Sequence, residues 1–273
     1  GPDSLALAYF AKRYGIENNI KVFYYIVDHK LRKDSSKEAR KIKFFLKKFN
    51  IKCKILIWSG KKPTSNIQSI AREFRFSLLF RQCLIDKTNN ILFGHHIDDL
   101  YENFFIRLLR GSGLTGLASF NEVKKFQENK VNILRPLINV NKSDLIYVTK
   151  YIFNFYIKDP SNNNDIFTRV RIRKLINNLK DEGLDNKKLI LTLNNLQDAN
   201  NTINHYVEQN IYSNSSFSKD KSKAILSYDF FKEPNEIVFR SISIILRKIG
   251  RKYYNPRGKS VMLILKKINS KNF

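Results

Sequence analysis

Cysteine is almost missing from this 273-residue chain: only Cys53 and Cys83 occur. Two thiols so far apart build neither a disulfide framework nor a four-cysteine zinc site. Long apolar runs are absent as well. None approaches the roughly 20 residues that span a bilayer, and no basic-then-apolar signal segment opens the chain. A reducing cytoplasm and no membrane are therefore expected. Acids are scarce: Asp plus Glu is 24 against 50 Lys plus Arg, a net charge of +26. That balance excludes a strongly basic partner and favours a polyanion, because cations beside phosphates release condensed counterions. The plain alternative is the Lys-, Asn- and Ile-rich bias of AT-rich coding. Hydrophobic residues at 42% and aromatics at 13% supply a sizeable core, so the chain reads as one large domain, or one plus a smaller one.

Strand and helix patterns alternate through the first half. Leu5 to Tyr14 predicts a helix closed by Gly15 as C-cap. Lys21 to Val27 (KVFYYIV) predicts a buried strand. Ser35 and Glu38 form a capping box ahead of a helix to about Phe49. Cys53 to Trp58 is a second strand, Ser65 to about Asp86 a long helix, Ile91 to Phe93 a third strand ending at Gly94, and Asp98 to Leu109 a further helix. Such units predict an α/β fold, a parallel sheet with flanking helices, which binds ligands beyond the carboxyl ends of its strands. After Arg135-Pro136 helices dominate, at Lys142 to Phe153, Arg169 to Leu179 and Asp185 to about Ile211. Ser213 to Ser222 is polar and aperiodic and reads as a linker. It divides a catalytic domain, 1–212, from a small basic accessory domain, 213–273. A strand near Ala224 to Tyr228 and helices near Glu236 to Ile249 and Ser260 to Ile268 fill the latter. From Arg240 onward there are ten Lys or Arg residues and no acid.

Two motifs mislead. Gly111-Ser112-Gly113-Leu114-Thr115-Gly116 matches a dinucleotide fingerprint but follows a helix pattern, not a strand. Gly258-Lys259-Ser260 ends like a Walker loop, yet Tyr253 stands where its first glycine belongs. The informative residues sit at element ends. Gly1-Pro2-Asp3-Ser4 before a helix offers unpaired amides at the positive end of its dipole, where anions bind. Alone, Asp3 or Ser4 reads equally as an N-cap. Asp28-His29 ends the first strand. His95-His96-Ile97-Asp98-Asp99 follows the third. Asp98 with Glu102, and Asp99 with Glu102, share a helix face. Crowded acids need a cation, for which Arg72 and Arg75 are candidates. The His-Asp cluster also resembles a transition-metal site, but a magnesium ion arriving with nucleotide phosphates fits its hard ligands better. Arg110-Gly111-Ser112-Gly113 is a flexible loop, either approaching a ligand or simply ending the helix.

Together these segments resemble the tRNA(Ile)-lysidine synthase family of N-type (PP-loop) ATP pyrophosphatases. Gly1 to Ser4 matches the last four residues of the family loop Ser-Gly-Gly-x-Asp-Ser. Val27 to Arg32 matches Val-Asp-His-x-Leu-Arg. Ala71 to Phe76 matches Ala-Arg-x-x-Arg-Tyr with Phe76 for Tyr. His95 to Asn103 matches His-His-x-Asp-Asp-x-x-Glu-Thr, with Leu100 in place of the usual Gln and Asn103 in place of Thr. Arg110 to Leu117, Arg135-Pro136-Leu137 and Asp159-Pro160-Ser161-Asn162 match three further landmarks. Seven matches fall in family order over about 180 residues.

The resemblance implies ATP-dependent joining of L-lysine to carbon 2 of the wobble cytidine in the CAU-anticodon tRNA(Ile), through an adenylated tRNA. It implies ATP binding by Gly1, Pro2, Asp3, Ser4, His95, Arg110, Gly111, Ser112 and Gly113. Arg72 and Arg75 would neutralise the phosphoryl group, and magnesium would sit near Asp98 and Asp99. Asp28, Asp99 and Glu102 would share three tasks: holding magnesium, orienting lysine's ammonium and taking its proton. The basic tail would grip the tRNA stem through phosphates. The family's leading Ser-Gly and first strand would lie before Gly1, so a polypeptide starting at Gly1 is expected to be poorly active. A tRNA-thiolating sister enzyme would want a Cys-x-x-Cys pair, which the sequence lacks. A non-catalytic RNA binder would show no nucleotide-dependent chemistry.

Overall fold

The structure is a computed structural model that describes residues 1–31, 34–60, 67–118, 123–126, 131–156, 168–220, 222–252 and 255–270. The chain divides into two compact units: Gly1–Gly111 with Phe120–Asn186, and Ser112–Ser119 with Lys187–Phe273. The division thus falls at the start of a long helix rather than within Ser213 to Ser222.

In the first unit α1 (Pro2–Glu17), β1 (Tyr24–Asp28), α2 (Ser35–Lys47), β2 (Cys53–Ile57), α3 (Ile67–Ile85), β3 (Asn90–Leu92) and α4 (Ile97–Leu109) alternate as the patterns predict. β1 pairs with β2 in parallel, Tyr24 opposite Cys53 and Asp28 opposite Ile57. β5 (Val131–Leu134) pairs in parallel with β3 and antiparallel with β4 (Val123–Phe126). Helices α6 (Lys142–Phe153) and α7 (Thr168–Asp181) complete the unit. Leu5, Leu46, Ile51, Cys53 and Phe153 form its main core, joined by Tyr24, Ile26, Phe45 and Phe49. Ala6, Leu137 and Leu145 seal a second cluster beside α1. Each fully buried Leu or Phe contributes roughly 1.5–3 kcal/mol. That burial, more than its weak amphipathic pattern, fixes α1 beneath the site.

Three sequence expectations need correction, and one feature went unread. Gly15 does not cap α1; the helix runs through it. A Cβ there would stand 2.7 Å from Val22 Cγ2 and 2.8 Å from the Ile20 carbonyl. Gly15 is needed for close approach, not for a turn. The Ser35–Glu38 capping box is replaced by an N-cap at Asp34, because the Ser35 hydroxyl donates to Asp28 Oδ1 instead. The β4–β5 hairpin went unread, its four-residue strands being too short and polar to show alternation. The linker is not one either. α8 (Asn186–Asn214) runs into it, and β6 (Ser215–Phe217) pairs antiparallel with β7 (Ala224–Leu226). The Ser65 helix start and the Asp159-Pro160-Ser161-Asn162 landmark lie outside the described residues.

The second unit holds α5 (Leu114–Leu117), α8, the β6–β7 hairpin, a 3-10 turn at Tyr228–Phe231, α9 (Asn235–Ile249) and α10 (Gly258–Ser270). Phe230, Val238, Ile242, Ile245 and Val261 are its core. Among the described residues no helix is long and apolar enough to cross a membrane.

Candidate active site

The first turn of α1 lies against the turn between β3 and α4. Gly94 makes this possible: a Cβ there would meet the Asp3 carbonyl oxygen at 2.9 Å and carbon at 3.1 Å. Thr149 on α6 steadies the turn from the other side, its hydroxyl donating to the Pro2 carbonyl at 2.9 Å. The helix N-cap is Gly1, and no side chain caps the first turn. Asp3 and Ser4 are therefore not caps, and the Pro2 ring pre-sets the first turn without needing a bond of its own.

From the adjoining turn, buried His96 sets its Nε2 3.9 Å from Asp3 Oδ2 and 3.5 Å from Asp99 Oδ2. Asp99 also accepts the His96 backbone N–H at 3.0 Å, which fixes the start of α4. Lys142 Nζ stands 4.0 Å from Asp3 and Lys180 Nζ 3.9 Å from Asp98. Glu102 is 2% exposed. Arg173 Nε donates to its Oε1 at 2.5 Å, and Arg169 Nε lies 3.7 Å from Oε2. The cations that pair with this acid thus come from α7, not from the expected Arg72 and Arg75. A buried carboxylate demands such pairing.

Arg72 and Arg75 serve the imidazoles instead. Burial, reinforced by Arg135, Arg72 and Arg75 and opposed by Asp99, pushes the His95 pKa down to about 4. Arg135 Nε donates to His95 Nδ1 at 3.3 Å. The neutral ring therefore carries its proton on Nε2, a donor suited to a phosphate oxygen. Burial, helped by Arg72, lowers Arg135 to about 10. Phe93 stacks on His95, and Phe76, standing where the family pattern has Tyr, packs on Phe93 beneath the Arg72 guanidinium. Burial, then the Arg75 charge, also lowers His29, while burial, Arg72 and Arg169 lower Arg75.

Asp28 is 3% exposed. Its Oδ1 accepts the Lys30 N–H at 2.9 Å and the Ser35 hydroxyl at 2.8 Å, and its Oδ2 the Ser36 hydroxyl at 2.6 Å. Burial raises its pKa, but these bonds outweigh burial and leave it below the ordinary value. Asp28 stays ionised, anchoring α2 to the end of β1.

One connected group thus links Asp3, His96, Asp99, His95, Arg135, Arg72, Arg75, Arg169, Arg173 and Glu102. Arg110 and Gly111 stand apart at the far end of α4, about 20 Å from its start for 13 residues. Ser112 and Gly113 belong to the other unit. Sequence reasoning missed Arg135, Arg169 and Arg173 as site residues; the i, i+4 spacing of the latter two was the available signal. Buried side-chain atoms without a hydrogen-bond partner include Asp3 Oδ1, His29 Nδ1, Arg75 Nε, His96 Nδ1 and Glu102 Oε2. Buried groups left unmet in this way are candidates for partners supplied by a polar ligand. Among the described residues no three of His, Cys, Asp and Glu converge as a ready metal cage. A magnesium ion bound largely through phosphates needs only one or two carboxylates, and the orphaned Asp3 Oδ1 fits that need.

Fold and site define an α/β domain with a cluster of buried charged side chains beyond the carboxyl ends of its parallel strands. The chain belongs to the PP-loop domain family, whose model matches residues 1–179. It is 34% identical over 278 residues to a tRNA(Ile)-lysidine synthase of Orientia tsutsugamushi, covering 97% of this chain and 61% of that protein. A tRNA(Ile)-lysidine synthase of Rhodopseudomonas palustris is 35% identical over 70% of this chain and 55% of its own length. One of Wolbachia pipientis wMel is 29% identical over the whole chain and 63% of its own length. The chain therefore spans about three fifths of these curated relatives. Among solved structures, the U34-tRNA thiolase NcsA from Methanococcus maripaludis with its 4Fe-4S cluster superposes with a TM-score of 0.60. That match covers 72% of this chain and 69% of that one at 18% identity, a likeness of fold.

Proposed function

We propose that this chain carries the catalytic unit of a tRNA(Ile)-lysidine synthase. Membership of a PP-loop family implies use of ATP. One observation supports the reading: the uncapped first turn of α1 and the acids of the β3–α4 turn meet at buried His96, where Asp3 Oδ1 and His96 Nδ1 lack hydrogen-bond partners.

In this reading the amides of Gly1, Pro2-Asp3 and Ser4 face the ATP phosphates, and the Nε2–H of neutral His95 donates to one of their oxygens. Arg72 and Arg75, backed by Arg135, offset the charge that develops at the α-phosphorus. Oxygen 2 of the wobble cytidine attacks that phosphorus and pyrophosphate leaves. The lysine amine then attacks carbon 2, and AMP leaves with the electron pair of the C–O bond. Asp99 is the acid best placed to take the proton from that amine, because Glu102 is held by two arginines. Asp98 or Asp3 would hold magnesium, which would supply further charge neutralisation at the phosphates. The CAU-anticodon tRNA(Ile) and L-lysine are the proposed substrates. The basic second unit, residues 213–273 included, would hold tRNA through phosphates. Sulfur transfer lacks support: Cys53 and Cys83 are buried, and burial pushes Cys53 up to about 11 and Cys83 upward too.

The test is ATP-dependent transfer of labelled lysine to a CAU-anticodon tRNA transcript. Transfer with release of pyrophosphate is expected. Binding of ATP and tRNA without transfer would reduce the protein to a non-catalytic RNA binder.

A further inference from the structure

The inward face of α2 is ordinary. Ile42, Phe45, Leu46 and Phe49 pack into the core against β1 and β2. The outward face is not. Phe44 stands at its centre, 68% exposed. Its four helical neighbours at i−4, i−3, i+3 and i+4 are Arg40, Lys41, Lys47 and Lys48, all exposed, and Lys37 extends the row. Lys48 Nζ lies 5.6 Å from the Phe44 ring centre. Like charges at these spacings repel. The helix itself contains one acid, Glu38, about 120° round from Phe44 at 100° per residue. The N-cap Asp34 pairs with Lys37, at 3.8 Å. Among the described residues the fold therefore gathers positive charge around an aromatic ring that it leaves exposed, with Lys41 also resting over the Phe155 ring at 5.3 Å.

We propose that the outward face of α2 is a contact surface for the phosphate backbone of RNA, with Phe44 packing on a base or ribose between phosphates. A polyanion relieves the repulsion among the cations and releases its own counterions, and an exposed aromatic within a basic track is how single-stranded RNA is commonly gripped. A lipid surface fits less well. A membrane-lying helix presents a broad apolar face outward, whereas α2 turns its apolar side inward and offers one phenylalanine. Ser35 and Ser36 tie the first turn of α2 to Asp28 at the end of β1, so the track begins at the ligand end of the strands and extends about 20 Å over 13 residues. The inference rests on the RNA-modifying reading above and places an RNA contact in the catalytic unit itself, separate from the basic tail.

The test compares the unaltered chain with an Arg40→Gln/Lys41→Gln/Lys47→Gln/Lys48→Gln variant and with Phe44→Ala. Binding of a fluorescent CAU-anticodon tRNA transcript is titrated from about 50 to 200 mM salt; ATP binding and thermal unfolding are controls. The quadruple variant is expected to bind about tenfold more weakly or worse, with the slope of log affinity against log salt reduced by about three. Phe44→Ala should weaken binding several-fold and leave the slope intact. Unchanged affinity and slope, while the parent chain binds tRNA, overturn the α2 assignment and leave the proposed reaction standing. Weaker tRNA binding by the quadruple variant, in a background where the parent binds tRNA but never transfers lysine, supports α2 and removes the reaction. Binding of phosphatidylserine vesicles but not RNA, lost in the quadruple variant, assigns the face to a lipid surface and overturns the proposal.

Discussion

Both units bury polar side chains, but they treat them differently. In the second, Arg240 donates to Glu236 at 2.7 Å, to Asn200 at 2.8 Å and to Asn204 at 3.2 Å, while Asn210 donates to the Phe230 carbonyl and to Ser241, each at 3.3 Å. In the first, Asp3, His29, Arg75, His96 and Glu102 each keep a buried atom unmet. Every such orphan among the described residues lies in the first unit. Burial of a polar group therefore does not mark a site. The incomplete hydrogen bonding does, because an unmet group costs about 1–3 kcal/mol unless a ligand supplies its partner.

The contrast can be broken most forcefully at Glu102. Glu102→Gln removes the charge that holds Arg169 and Arg173, and adenylation read as ATP–pyrophosphate exchange should fall about 10³-fold. Affinity for tRNA should persist; equal loss of both would mean that Glu102 is structural, like Arg240. Gly94→Ala should come next, with about a 10²-fold loss of exchange, because a displaced α1 turn misplaces the phosphate amides. The melting temperature should fall as well, because the added Cβ meets the Asp3 backbone at 2.9 Å. Arg240→Ala is the reverse experiment. It should cost about 1.5–3 kcal/mol by taking the charged donor from buried Asn200, which then relies on the Thr115 hydroxyl at 3.2 Å, seen as a lower midpoint in urea unfolding, while the first unit still binds ATP. Normal stability would sink the claim that the second unit's polar core is structural.

The gentlest probe is pH. The folded pKa of His95, about 4, lies below its unfolded value of 6.5. The unfolded chain then binds the extra proton first, so stability is complete above about pH 6.5 and declines as pH falls toward 4, by at most about 1.4 kcal/mol per unit. Arg135→Gln removes one charge that depresses His95 and should flatten that decline. A slope identical to that of the parent would detach Arg135 from His95.

Legibility followed range along the chain. The parallel pair β1–β2 follows from strand-helix alternation, which depends on neighbours. The β4–β5 hairpin was invisible because Val123–Phe126 and Val131–Leu134 are too short to establish a period. Asp99 and Glu102 were readable as unusual acids in a basic chain, yet their partners were not. Arg173 is 71 residues from Glu102, and 40 residues separate Arg135 from His95. A pattern of a few residues holds no record of such distances. Gly15 shows the same limit: a glycine near a helix end reads as a stop signal until Val22 is seen packed against it.

By itself, then, the order of residues determined the alternating α/β plan, the positive charge and the identity of the acids, imidazoles and arginines at element ends, all being properties of local propensity and composition. Which cation neutralises which acid, where the His95 proton sits, why Asp28 is locked and which buried atoms are left wanting a partner were decided only when distant segments packed together. Desolvation and hydrogen bonding depend on what surrounds a side chain in space, and those surroundings exist only in the folded protein.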